Sequence, residues 1–267
     1  QMGIGAVVKN LRNLDEAGFK TGDDVVTRFC ERLGNEQQIS RSRLFPFRFL
    51  TAYLQLKSVT WSASLEQAAN HSLSGVPELP GRTLVLVDTS DSMNSKLSAK
   101  SVTSYVQAAA LFGTALKIKN PDRVDLWGFA DGQFKAEASR GHSLLRCAED
   151  FAKQTGKVGH GTAMEAAIRA TYDKHDRVII ISDMYAFPDA VPVRYQYRGW
   201  YVKGGEIGDV ASVVPAHIPV YGFNLAAGST TPLGKGNRHT IGSMTDATFK
   251  QIPQLEQLGR GSWPWEN

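Results

Sequence analysis

Two short apolar runs, at residues 83–87 (Thr-Leu-Val-Leu-Val) and 177–182 (Arg-Val-Ile-Ile-Ile-Ser), each lead directly into an aspartate, Asp88 and Asp183. Runs this short, rich in β-branched residues and lacking polar alternation, are strands buried on both faces, as in a parallel sheet covered by helices. A carboxylate at the end of such a strand sits at the carboxyl edge of the sheet, where open α/β folds bind their ligands. The chain is therefore constrained to an α/β architecture with a polar crevice at that edge.

The segments around the two runs fit this frame. Helices are predicted over 98–117, 143–153 and 162–172, and the first of them has Val102, Tyr105, Val106, Ala109, Phe112 and Leu116 on or near one face. Further strands are predicted over 123–129 and 217–223, the latter ending in Asn224, with a short edge strand at 133–136. The order implies a doubly wound, mostly parallel sheet with helices on both faces, Rossmann-like in kind.

Upstream, from Ile4 to about Leu73, apolar residues recur at helical spacing, and breaks fall at 18–23, at Gly34-Asn35, at Pro46 and at 58–61. Residues 75–82 hold Pro77, Pro80 and Gly81, a helix-hostile linker. Two units follow: a helical segment over 1–76 and the α/β domain over 77–267.

With 42% hydrophobic and 21% charged residues in 267, the chain can bury a core, and disorder is not expected. A net charge of +4, from 30 basic and 26 acidic residues, permits an acidic partner without requiring one. Cys30 and Cys147 stand far apart without a metal-ligand spacing, so a reduced, cytoplasmic protein is the simpler expectation. The sequence shows no secretory leader and no membrane-spanning stretch, and its start at Gln1-Met2 is compatible with a piece of something longer.

The chemistry concentrates after the strands. Asp88-Thr-Ser90-Asp-Ser92 offers a carboxylate and two hydroxyls at alternate positions of one loop; Gly159-His-Gly161-Thr162 adds a third hydroxyl, and Asp183 a second carboxylate. Oxygen donors of this kind suit a small hard cation, Mg2+ first and Mn2+ or Ca2+ as alternatives. With neutral hydroxyls, two carboxylates only just balance the divalent charge, which leaves the metal able to accept an acidic side chain from a partner. No Walker loop, HExxH motif or Ser-His-Asp spacing accompanies them, so a non-enzymatic role is expected.

The spacing Asp88-x-Ser90-x-Ser92, with Thr162 after a glycine and Asp183 after a later strand, resembles the metal ion-dependent adhesion site of von Willebrand factor A domains. That resemblance implies that Asp88, Ser90, Ser92 and Thr162 are direct or water-mediated ligands and that Asp183 acts through water or from behind them. Asp91, where the family often has glycine, and His160 depart from the pattern.

A second resemblance covers the flanks. Asn10 to Gly18, Arg41-Ser-Arg-Leu-Phe-Pro-Phe-Arg-Phe-Leu50, the stretch from Leu79 to Asp88, Asn237-Arg-His-Thr240 and Trp263-Pro-Trp-Glu266 look like the TROVE-module proteins, the Ro ribonucleoprotein autoantigen family. In that family a ring of HEAT-like helical repeats binds misfolded RNAs and small noncoding Y RNAs, and the A-type domain joins the ring's ends. The resemblance covers only the last helices of such a ring plus the A-type domain.

It implies a non-enzymatic component of a Ro-type ribonucleoprotein. The alternative is a stand-alone, metal-dependent protein-binding module without RNA function, and a magnesium-dependent hydrolase is a third reading. Arg41, Arg43 and Arg48 are candidates for RNA phosphates, or else a solvated face with local ion pairs. Arg194, Arg198 and Lys203, interleaved with aromatics in Arg-Tyr-Gln-Tyr-Arg-Gly-Trp-Tyr-Val-Lys, suit single-strand stacking or a packing arm equally. His217 and His239 read as structural.

Overall fold

The computed structural model describes residues 2–139, 141–184, 209–226, 233–242 and 248–259. Five helices come first: α1 (Ile4–Glu16), α2 (Asp24–Gly34), α3 (Glu36–Ser42), α4 (Pro46–Gln55) and α5 (Ser62–His71). Their breaks are those that Gly18, Asn35, Pro46 and the 58–61 stretch dictate. Asn35 caps α3 by accepting from the Gln38 N–H at 2.9 Å. Pro46 stands at the start of α4, where its fixed φ suits the helix and its missing N–H costs nothing. α5 packs on α2 and α4, burying Trp61, Leu65, Ala68 and Ala69.

The second part alternates β1 (Thr83–Asp88), α6 (Tyr105–Lys119), β2 (Val124–Phe129), β3 (Gln133–Lys135), α7 (Leu144–Ala152), α8 (Met164–Thr171), β4 (Arg177–Ser182), β5 (Val220–Asn224), β6 (Arg238–Gly242) and α9 (Thr248–Gly259). The strands form one sheet in the order β3-β2-β1-β4-β5-β6, all parallel except the edge strand β3. The winding reverses between β1 and β4, so the two strands that end in Asp88 and before Asp183 are neighbours at the switch point. Every residue of β1 and β4 is buried, as their continuous apolar runs predict.

The pleat divides these strands between two core layers. Val85, Val87, Ile179, Ile181 and Phe223 face the layer that runs without interruption into the helical segment. Leu84, Leu86, Val178 and Ile180 face α8 on the other side. Between the helical segment and the sheet, Phe249 of α9 lies with its ring centroid 4.5 Å from Phe112 and 5.8 Å from Phe45 and Phe47, and Phe112 meets Phe223 at 5.4 Å.

Several boundaries differ from the sequence expectation. The helix expected over 98–117 begins at Tyr105, because Ser104 and Gln107 form a capping box there. It is buried nearly all round rather than along one face, being enclosed by sheet, α4 and α7. The helix expected from 162 starts at Met164, since Ala163 has non-helical ψ of 64°. β5 starts at Val220, just past Pro219, a residue without an N–H for the ladder. β6 and α9 were not anticipated: β6 is a half-exposed edge strand without an apolar run, and α9 carries Pro253 inside it.

Candidate metal centre at the carboxyl edge of the sheet

Parallel pairing sets the site's framework. Val87 of β1 lies opposite Ile181 of β4, which brings Asp88 beside Ser182 and one residue from Asp183. On its other flank Asp88 is in register with Phe129 of β2, whose carbonyl accepts from both the N–H (2.7 Å) and the hydroxyl (2.9 Å) of Thr89. Asp88 and Asp183 are both buried.

Each oxygen of Asp88 accepts from a neutral group: Oδ1 from the Ser90 N–H at 2.8 Å and Oδ2 from the Ser182 hydroxyl at 2.6 Å. The Ser90 and Ser92 hydroxyls are 3.2 Å apart. Ser90 is buried and Ser92 is exposed, so this loop climbs from the sheet edge toward solvent. Burial, together with the charge of Asp183 and against the hydrogen bonds from Ser182 and Ser90, pushes the Asp88 carboxyl up to about 6. A buried carboxylate served by neutral donors and lying near a second carboxylate is short of positive charge, which a divalent cation would supply.

Thr162 reaches the same edge through its loop. The Gly156 N–H donates to the Thr89 carbonyl at 3.2 Å, the Asp91 N–H to the His160 carbonyl at 3.4 Å, and the Ala163 N–H to the Ala130 carbonyl at 2.9 Å. Thr162 is itself buried between these attachments. The Asp91 carboxylate, the departure from the adhesion-site pattern, is 2.9 Å from His160 Nδ1. That hydrogen bond and the carboxylate's charge raise the His160 pKa. The two unusual residues are thus partners joining two of the site's loops.

The structure therefore gathers Asp88, Ser90 and Ser92 with Asp183 and the Thr162 loop at one edge. Among the described residues no three His, Cys, Asp or Glu side chains group as metal ligands, so a cation here would depend on the hydroxyls. The oxygen set fits Mg2+, which tolerates few protein carboxylates and retains water. Ser182 was missed by sequence reading; the signal was its register, as the last residue of the strand beside β1.

The candidate RNA residues divide. Arg41, Arg43 and Arg48 are exposed, with Arg43 closing α3 in a left-handed conformation at φ 55°. Arg48 and Lys9 line a groove between α1 and α4 of about 450 Å³, with Val8, Leu44 and Ala52. Arg194, Arg198 and Lys203 lie outside the described residues, as does the 263–266 segment. His217 and His239 line a cleft at the opposite, amino edge of the sheet, where His239 stacks on Tyr221 with centroids 5.1 Å apart. None of the helices among the described residues is long and apolar enough to cross a membrane.

Comparison with known proteins gives a family model and a fold. The TROVE domain model matches residues 1–112. The crystal structure of the Ro (RSR) protein of Deinococcus radiodurans superposes with a TM-score of 0.67 at 18% sequence identity, covering 97% of this chain and 53% of that one. The chain thus spans about half the length of that protein. Proximal thread matrix protein 1 of the mussel byssus matches with a TM-score of 0.38 at 15% identity, over 79% of this chain and 57% of that one. No curated protein sequence matches the chain.

Proposed function

We propose, from the premise that residues 1–112 belong to the TROVE domain family, that the chain is a non-enzymatic, RNA-binding component of a Ro-type ribonucleoprotein. The observation that carries this reading is the run of the TROVE match through α1 to α5, across the linker and into α6, on a fold that follows the Ro protein over 97% of the chain. RNA contact is assigned mainly to the helical segment, with noncoding or misfolded RNA as the ligand class. Arg41, Arg43 and Arg48 are its candidates here, together with Arg194, Arg198 and Lys203. The groove at Lys9 and Arg48 has no aromatic lining. It would hold phosphates rather than stack bases, and so discriminate little between sequences.

The A-type domain takes the second role in this reading. Asp88, Ser90, Ser92, Thr162 and Asp183 would hold Mg2+, or Mn2+ or Ca2+ in its place, and the cation would steady the loops and offer a position to an acidic side chain of a protein partner. A cytoplasmic location accords with two unpaired cysteines. The continuous core argues against a stand-alone adhesion module, because removing the helical segment would strip Phe249 of Phe45 and Phe47.

The test is RNA affinity of the full-length protein as a function of salt, for a noncoding RNA with a single-stranded end. Replacing Arg41, Arg43 and Arg48 together by Ala should weaken binding alike across sequences and flatten the salt slope by roughly 2, the value for three single-strand phosphate contacts. Absence of RNA binding by the full-length protein would overturn the proposal.

A further inference from the structure

Besides Asp91, a second acidic residue at the candidate metal edge, Asp131, lies outside the proposed ligand set. Asp131 sits in the turn between β2 and β3, closed by the Ala130 N–H donating to the Gly132 carbonyl at 2.8 Å. Its Oδ2 accepts two consecutive backbone N–H groups, from His160 at 2.9 Å and Gly161 at 3.2 Å. The backbone of the same turn continues the attachment: the Gly132 N–H donates to the Val158 carbonyl at 2.8 Å, and the Ala130 carbonyl accepts from Ala163 at 2.9 Å. The turn thus grips the 158–163 loop on both sides of Thr162.

The loop's glycines follow from this grip. A Cβ on Gly159 or Gly161 would collide with the Asp131 carboxylate, and Gly159 has φ of +108°, which other residues rarely adopt. The Gly-His-Gly-Thr sequence is what a loop needs if a carboxylate is to press flat against its backbone.

We propose that Asp131 is a positioning residue for the cation site, binding the His160 and Gly161 N–H groups so that the next residue, Thr162, is held at the edge beside Asp88. The inference rests on the metal-site reading. Asp131 Oδ2 serves here as the acceptor for the loop's two donors. One oxygen that accepts two adjacent backbone N–H groups ties both amides to a single point of the turn and so fixes the path of the loop.

The test is Mn2+ titration of the full chain followed by electron paramagnetic resonance, with amide exchange at His160 and Gly161 as the second readout. Asp131→Ala should weaken Mn2+ binding by about 10-fold or more, the range for residues that orient metal ligands, and speed exchange at both amides. Asp131→Asn, which keeps an acceptor oxygen without the charge, should restore most of the affinity and the protection. Wild-type affinity in Asp131→Ala would overturn the inference. So would an equal loss in the Ala and Asn variants, which would mean that charge rather than acceptance matters. If the wild-type chain itself binds no Mn2+, the metal reading falls first, an outcome separate from either of these.

Discussion

At the scale of single residues, Asp88 carries a heavy electrostatic demand at the candidate site. Its carboxyl is raised from 3.8 to about 6 by burial, with Asp183 adding to the effect. A group whose folded pKa is raised stabilises the fold while protonated, and that stabilisation is lost as pH climbs through the folded value. The metal-free protein should therefore lose up to about 3 kcal/mol between roughly pH 4 and pH 6 from this residue. Magnesium should restore it only where the carboxylate is ionised. Melting curves with and without Mg2+ should separate above about pH 6 and converge below it. Asp88→Asn should abolish the separation at neutral pH without lowering the metal-free melting temperature, and a variant that still responds to Mg2+ would contradict the assignment. Ser182→Ala removes the donor to Asp88 Oδ2 and should destabilise by about 1–3 kcal/mol, measured by denaturant titration.

At the scale of elements, α9 joins the parts. Its Phe249 enters the aromatic cluster of Phe45, Phe47 and Phe112, and its Glu256 pairs with Arg177 through Nε at 2.5 Å and Nη2 at 3.1 Å. Phe249→Ala should cost about 3–5 kcal/mol, the range for emptying a buried aromatic site, and should lower the stability of the helical segment and the sheet together. This element also shows where sequence reading ends. β1 and β4 were legible because burial on both faces leaves unbroken apolar runs, and α1 to α5 because their apolar residues recur at helical spacing with most breaks written in Gly, Pro and Asn. α9 was not legible: its apolar residues are sparse, it holds Pro253, and its reason to form lies in contacts with segments far away in sequence. The site divides in the same way. Asp88, Ser90 and Ser92 form a contiguous pattern, whereas Asp131 and Ser182 gain their roles from a turn and a register that only the assembled sheet defines.

At the scale of the whole molecule, one core layer runs from Ile4 to Ile252 through both parts. Denaturant unfolding should therefore be a single transition by far-ultraviolet circular dichroism and by tryptophan fluorescence, to which Trp61 beside the helices and Trp127 in the sheet both contribute. Two separated transitions would mean that the helical segment and the α/β part are independent. The same core joins the helical segment to the sheet whose carboxyl edge carries the candidate metal site. The most direct measurement is Mn2+ binding to the wild-type chain and to Asp88→Asn and Ser90→Ala at neutral pH. The expected result is one ion per wild-type chain, with affinity lost in the first variant and weakened in the second. Binding that is undiminished in both would contradict the convergence of these loops on a single cation.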